Sequence, residues 1–223
     1  MNIARFPRPV LGRIPNFAGA EVAAAKLARL PAFQDAQVVK VNPDAPQLMV
    51  RYQAVMQGKR LLTPTPRLRE GFLLLEAAKL PKSALRAASS ISGAFRYGRK
   101  VALDEIPQVD LLVVGCVAVS RDGPRLGKGE GYGEIEYAVL REMGCLAADV
   151  PVCTTVHDLQ VIDAIPWEVH DVPVDVIVTP TQIVRTHTKY PKPSGILWER
   201  LTEERIRAIP LLGHLRAARP ISR

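Results

Sequence analysis

The segment Arg121-Asp122-Gly123-Pro124-Arg125-Leu126-Gly127-Lys128-Gly129-Glu130-Gly131-Tyr132 places four glycines within nine positions, interleaved with Arg125 and Lys128. Glycine tolerates positive φ and lets backbone amides approach a ligand closely. Successive inward-pointing amides form an anion nest, and a helix that follows adds the positive end of its dipole. Arg125 and Lys128 would add charge-assisted hydrogen bonds, each about 1.5–3 kcal/mol. The chemistry expected of such a loop is phosphate binding over Gly123 to Gly131. It is no Walker A loop, because Gly123 and Gly127 are wrongly spaced and no Ser or Thr follows Lys128 to hold magnesium. Nor is it a dinucleotide fingerprint: Gly127 and Gly129 would call for glycine where Tyr132 stands. The structural alternative is a tight glycine turn joining a strand to a helix.

Other reactive side chains carry less. His170 beside Asp171 has the makings of an acid/base pair, although such a step before a strand is more often structural. His157, His187 and His214 share no ligand spacing. Asp158 is the better candidate for organising a metal or phosphate, provided its strand neighbours the glycine loop. Cys116, Cys145 and Cys153 have no C-x-x-C spacing and read as buried, reduced thiols.

The elements that must position the loop follow from periodicity. Asp110 to Val117 is the most apolar run, and continuous hydrophobicity marks a strand covered on both faces, hence central in a parallel sheet. After the loop, Ile135, Ala138, Val139 and Met143 share one helical face that stops at Gly144. Val38 to Val41, Arg60 to Thr63, Pro151 to Val156 and Val174 to Val178 are further strands, and Leu48 to Gln57 is helical. Gly19 to Leu30 is an amphipathic helix that Pro31 should stop. Prolines are too dense in residues 1–18 for a helix, so that segment is expected to be extended. From about residue 202 to 223, arginines and two prolines suggest a short helix and a basic, solvated tail. Alternating strands and helices argue for one α/β domain over 1–223: an open, three-layer, mostly parallel, Rossmann-like sheet flanked by helices.

With 223 residues and 48% hydrophobic content, the chain can bury a full core and is not expected to be disordered. Its net charge of +8 favours anionic partners without choosing among phosphates, polycarboxylates and nucleic acid. Only 5% of residues are aromatic and the basic ones are dispersed, so nucleic-acid binding is expected to be weak and electrostatic. No apolar run reaches membrane-spanning length, and the first residues lack an apolar leader core; a cytoplasmic protein is expected.

Beyond single motifs, R-L-G-K-G-x-G-Y resembles the R-L-G-[RK]-G-x-G-Y-Y-D signature of the 5-formyltetrahydrofolate cyclo-ligase family. His157 to Val161 is similar to the family's D-x-Q-x segment, and Pro166 to Thr179 resembles its P-x-E-x-H-D-x-x-x-D-x-x-x-T segment. Gly58 to Pro64 resembles its G-K-x-x-x-x-P strand. Phe6 to Pro9, Arg13 to Phe17, Val41 to Gln47 and Pro64 to Arg69 extend the likeness toward the N-terminal domain of the methenyltetrahydrofolate synthase domain-containing branch.

The resemblance implies an ATP-dependent reaction: phosphorylation of the formyl oxygen of 5-formyltetrahydrofolate, attack by N10 and loss of phosphate to give 5,10-methenyltetrahydrofolate. It also implies site residues. Gly127, Gly129, Gly131 and Lys128 would cradle ATP phosphates with Arg125 beside them, Tyr132 would line the junction with the folate site, and Glu134 would retain a carboxylate for Mg2+, with Asp158, a candidate by its own residue type and not by the resemblance, as the other metal candidate. Three departures stand against it. Gly131-Tyr132-Gly133-Glu134-Ile135 replaces G-Y-Y-D-R, so one tyrosine and the arginine are gone; the family's basic N-terminal helix gives way to the proline-rich segment; and an acidic residue near the pterin is replaced around Pro46-Gln47. Two functions follow: an ATP-dependent cyclo-ligase acting on a reduced folate or similar small anion, or a nucleotide-, folate- or RNA-binding protein that keeps the fold without turnover. The expected state is a monomer or homodimer.

Overall fold

The computed structural model describes residues 3–219. Its elements run β1 (Ala4–Arg5), β2 (Asn16–Phe17), α1 (Ala20–Leu27), α2 (Pro31–Asp35), β3 (Val38–Val41), α3 (Leu48–Met56), β4 (Arg60–Pro64), β5 (Phe72–Glu76), α4 (Leu85–Ala88), α5 (Ile91–Tyr97) and β6 (Arg99–Val101). There follow β7 (Leu111–Val114), β8 (Ala118–Ser120), β9 (Arg125–Leu126), α6 (Tyr132–Glu142), β10 (Val152–Thr155), β11 (Val161–Ile162), β12 (Val176–Val178), β13 (Ile183–Arg185), α7 (Glu203–Ala208) and α8 (Pro210–Ala218).

Among the described residues the main sheet has eight strands in the order β13-β12-β10-β7-β3-β4-β5-β6. The five inner strands from β12 to β4 are parallel, and antiparallel strands close both edges. The apolar run beginning at Leu111 lies between β10 and β3 with every residue buried, as its composition requires. Alternate side chains serve two cores. Val39, Leu61, Leu111 and Val113 pack with Ala23, Leu27 and Val50 of α1 and α3. Val38, Leu62, Leu112 and Val114 pack with Val139 and Leu140 of α6 and with Ile206 and Leu212 of α7 and α8. Burying one such Val or Leu contributes about 1.5–3 kcal/mol, which makes three layers the stable arrangement.

Three sequence expectations are corrected. Pro31 does not stop the helical region: α1 ends at Leu27, and Pro31 opens α2 at its first position, where a missing N–H costs nothing. The C-terminal segment is no solvated tail, since Thr202 caps α7, Pro210 opens α8, and Ile206, Ile209, Leu212 and Leu215 are buried. Its last residues, 220–223, lie outside the described residues, as do Met1 and Asn2 of the N-terminal segment. The glycine-rich stretch is not one loop either. Its first half turns the antiparallel β8–β9 hairpin, which joins β11 in a separate three-stranded sheet. The N-terminal segment is non-helical as expected, with β1 and β2 paired antiparallel.

Candidate functional site

Chain direction changes between β3 and β7: β3 leads to β4 on one side, while β7, β10 and β12 succeed one another on the other. At such a switch the loops leaving two adjacent parallel strands part in opposite directions and open a crevice outside their carboxyl ends. A cleft of about 870 Å³ lies there. Asn42 and Asp44 enter it from the end of β3, Thr65 to Arg67 from the end of β4, Gly115 from the end of β7, and Gly127, Lys128 and Glu130 to Glu134 from the glycine loop and the start of α6.

The expected loop residues divide. Gly123 lies in the β8–β9 turn, outside the cleft lining, at φ +112. Its carbonyl accepts from the Val174 amide at 2.9 Å, and a Cβ there would lie 2.7 Å from Thr188 Oγ1. Gly127 and Gly131 line the cleft, whereas Gly129, at φ +80 with nothing within 4 Å of a built Cβ, faces a second cavity of about 770 Å³. Gly131, at φ +64, caps α6, so the first-turn amides of an eleven-residue helix and its positive dipole end face the cleft.

Lys128 is exposed, with Nζ 3.6 Å from Asp44 Oδ1 and 3.7 Å from Glu130 Oε2. Arg125 is buried: its guanidinium pairs with Glu134 and its Nε donates to the Val172 carbonyl at 3.1 Å. That guanidinium fills the space beside Gly133, where a Cβ would come within 3.2 Å of Nη2. Tyr132 lies under the guanidinium of Arg205, 4.1 Å from ring centroid to Cζ. Asp158 is not brought into the cleft lining. Its Oδ1 accepts from Thr179 at 2.6 Å, Thr181 at 2.5 Å and Gln182 at 3.3 Å, tying the single helical turn Asp158–Gln160 after β10 to the turn between β12 and β13. Burial pushes the Asp158 carboxyl up, but these three bonds outweigh it and hold it below its ordinary value. His170 sits near Glu168 and Asp171 at the rim of the second cavity and not in the cleft.

Sequence reasoning missed the cleft floor. Lys40, fully buried in β3, places Nζ 2.5 Å from Glu136 Oε2 and 3.1 Å from Asn42 Oδ1, while Asn42 donates to the same Glu136 oxygen at 3.1 Å. Burial raises the Glu136 carboxyl and Lys40 partly offsets it. Arg51, also buried, donates to the carbonyls of Ser89, Asn42 and Asp44, and burial pulls its pKa down to about 10 against the opposing charge of Asp44. The available signal was a lysine inside the otherwise β-branched run Val38-Val39-Lys40-Val41: a charge on a strand covered on both faces needs a buried partner. Arg67 and Leu68 hold φ of +56 and +51, backbone strain of the kind that collects at functional sites. Gly115 admits two acceptors, Gln47 Oε1 and Asp44 Oδ2, within 2.8 and 3.2 Å of the point a Cβ would occupy, and Gln47 Oε1 has no donor among the described residues.

The family model of the 5-formyltetrahydrofolate cyclo-ligase family matches residues 7–180. The chain belongs to the 5-formyltetrahydrofolate cyclo-ligase family. It is 47% identical over 220 residues to a methenyltetrahydrofolate synthase domain-containing protein of Bos taurus, with 96% of this chain and 58% of the relative covered. The human relative of that name is 45% identical over 221 residues, covering 97% of this chain and 57% of its own length. The chain thus spans somewhat over half the length of the curated relatives it matches. A solved 5,10-methenyltetrahydrofolate synthetase from Aquifex aeolicus shares the fold with a TM-score of 0.52 at 21% identity, covering 76% of this chain and 81% of that one. In this cyclo-ligase family member the family match ends before α7 and α8 begin. The glycine loop and the switch-point cleft lie within it.

Proposed function

We propose that the chain binds ATP in the switch-point cleft and acts as an ATP-dependent cyclo-ligase on 5-formyltetrahydrofolate or a related small anion. The carrying observation is the meeting of Gly127, Lys128, Gly131 and the amino end of α6 at the carboxyl ends of β3 and β7. Backbone amides, a helix dipole and the exposed Lys128 ammonium, held by loose ion pairs of 3.6 and 3.7 Å to Asp44 and Glu130, suit a polyphosphate. Phosphoryl transfer to a formyl oxygen followed by ring closure needs positioning and charge neutralisation more than a side-chain nucleophile, which agrees with a cleft built of amides, cations and carboxylates. The Asp44 carboxylate, which lines the cleft beside Gly115, suits an N–H group of a heterocyclic substrate.

Magnesium has no protein-built cage: among the described residues no three His, Cys, Asp or Glu side chains gather to hold an ion. Glu134 is committed to Arg125 and Asp158 to three hydroxyl and amide donors. Any Mg2+ would enter on the nucleotide's phosphates, as is usual for this hard, water-retaining ion. The same commitment of Arg125 supports a second reading, nucleotide binding with little or no turnover. Calorimetric titration with MgATP tests binding: Lys128→Ala should weaken affinity about tenfold or more, from loss of one charge-assisted contact. Unchanged affinity would remove the loop from the site. Absorbance of the methenyl product then separates enzyme from binding protein.

A further inference from the structure

The glycine loop has two sides, and the side away from the cleft is held by a residue outside the family match. Arg205 projects from the first turn of α7, where its own amide donates to the capping Thr202 Oγ1 at 3.1 Å. Its guanidinium carbon lies 4.1 Å from the centroid of the Tyr132 ring and its Nη2 donates to the carbonyl of Glu130. A Cβ at Gly131 would make only an ordinary 3.9 Å contact with the same Nη2, so glycine is required there by its φ of +64 and not by Arg205. Arg205 borders the second cavity, while Gly131 also lines the cleft. In a planar trans peptide the C=O and the next N–H point in opposite directions. A Glu130 carbonyl drawn toward α7 therefore turns the Gly131 amide toward the cleft.

We propose that Arg205 is a positioning residue that aims the Gly131 amide at the phosphate-binding side of the loop, with α7 and α8 serving as its rigid mount. The mount is sound because Ile206, Ile209, Leu212 and Leu215 sit in the same core as Ile135 and Val139 of α6. Position 135, where the resemblance expects an arginine, is a buried isoleucine in that core. An arginine from α7 reaches the loop through space instead. The role rests on the nucleotide reading of the cleft, so the test includes a measurement made without nucleotide.

In the full chain, Arg205→Ala and Arg205→Lys are compared by amide exchange at Ile135, whose N–H bonds the Gly131 carbonyl at 3.1 Å, and at Leu215 in α8, then by titration with MgATP. Loss of a charged hydrogen bond with its ring contact should speed Ile135 exchange about tenfold in Arg205→Ala and weaken MgATP about tenfold. Arg205→Lys, which keeps a donor and a cation over the ring, should stay within about threefold of the parent in both, and Leu215 exchange should not change. Unchanged Ile135 exchange overturns the proposal, as does equal acceleration at Leu215, which marks general loosening. Faster Ile135 exchange with unaltered MgATP affinity also overturns it. If the parent chain itself binds no MgATP while Ile135 responds as expected, the hold on the loop stands and the nucleotide reading falls.

Discussion

Gly123 and Gly129 belong to one glycine-rich stretch and both have positive φ, yet they answer to different constraints. Around Gly123 the protein is closed: Thr188 Oγ1 and Cβ lie 2.7 and 2.8 Å from a built Cβ, and the Val174 carbonyl 3.0 Å. Around Gly129 there is open space, with nothing within 4 Å. The first glycine serves packing and the second serves the left-handed backbone of the loop. A run of glycines in a sequence cannot be assigned to one purpose, because conformational freedom and lack of bulk are separate reasons for the same residue.

Substituting alanine at each position is the sharpest way to break that distinction. Gly123→Ala should cost about 3–4 kcal/mol, since an unfavourable φ and an overpacked Cβ add together, lowering Tm by about 10 °C. Gly129→Ala should cost only about 1 kcal/mol, the ordinary penalty for a left-handed residue with room around it. MgATP affinity should follow the reverse order: alanine at 129 disfavours the left-handed loop backbone between Lys128 and Gly131 and weakens it indirectly, its Cβ pointing away from the cleft, whereas affinity is preserved at 123 wherever that variant is folded. Equal stability losses at the two positions would erase the difference.

The comparison sharpens at Gly133, which is neither free nor fully enclosed. Arg125 fills its side-chain space and is anchored by Glu134 and the Val172 carbonyl. Gly133→Tyr, which restores the family's second tyrosine, should displace that guanidinium and cost about 1–3 kcal/mol. Gly133→Tyr with Arg125→Ala should recover part of the loss by emptying the space. Thermal unfolding of these two variants and of Arg125→Ala alone checks the coupling; additive effects would show that the two side chains do not compete.

The smallest expected effect lies at Asp158, outside the cleft. Its carboxyl is held below the ordinary value, so the folded state takes up this proton less readily than the unfolded chain. The stabilisation is present above the unfolded pKa of about 3.9 and fades as pH falls through the lower folded value. Asp158→Asn should therefore lower Tm near pH 7, approach the parent only as pH falls below the unfolded value of about 3.9 and through the lower folded one, and leave MgATP affinity unchanged. A change in MgATP affinity would return Asp158 to the site.

Family, sheet and central strand were legible because they rest on local facts. The apolar run at Leu111 to Val114 can only be satisfied by cover on both faces, and the R-L-G-K-G-x-G-Y motif is a matter of residue types in order. The buried thiols were legible for the same reason: Cys116 and Cys153 lie in apolar surroundings, where burial pushes their pKa up to about 11 and about 12. Elements whose cues pointed both ways were not. Pro31 and Pro210 read as breakers but start helices, and the arginines of 205–219 obscured the apolar positions 206, 209, 212 and 215 that hold α7 and α8 to the core.

The sequence alone determined which residues can bind phosphate; the tertiary structure decided which of them are available to do so. Arg125 was a candidate for phosphate and Glu134 and Asp158 for a metal on it, but the fold gives Arg125 to Glu134 and Asp158 to the β12–β13 turn. It also brings together Lys40 and Glu136, 96 positions apart, and Arg205 and Glu130, 75 apart. Such pairings depend on which strands are neighbours in the sheet and which helices pack on each face. No periodicity or motif encodes them, because a side chain's partner is fixed only when burial removes the water that would otherwise serve.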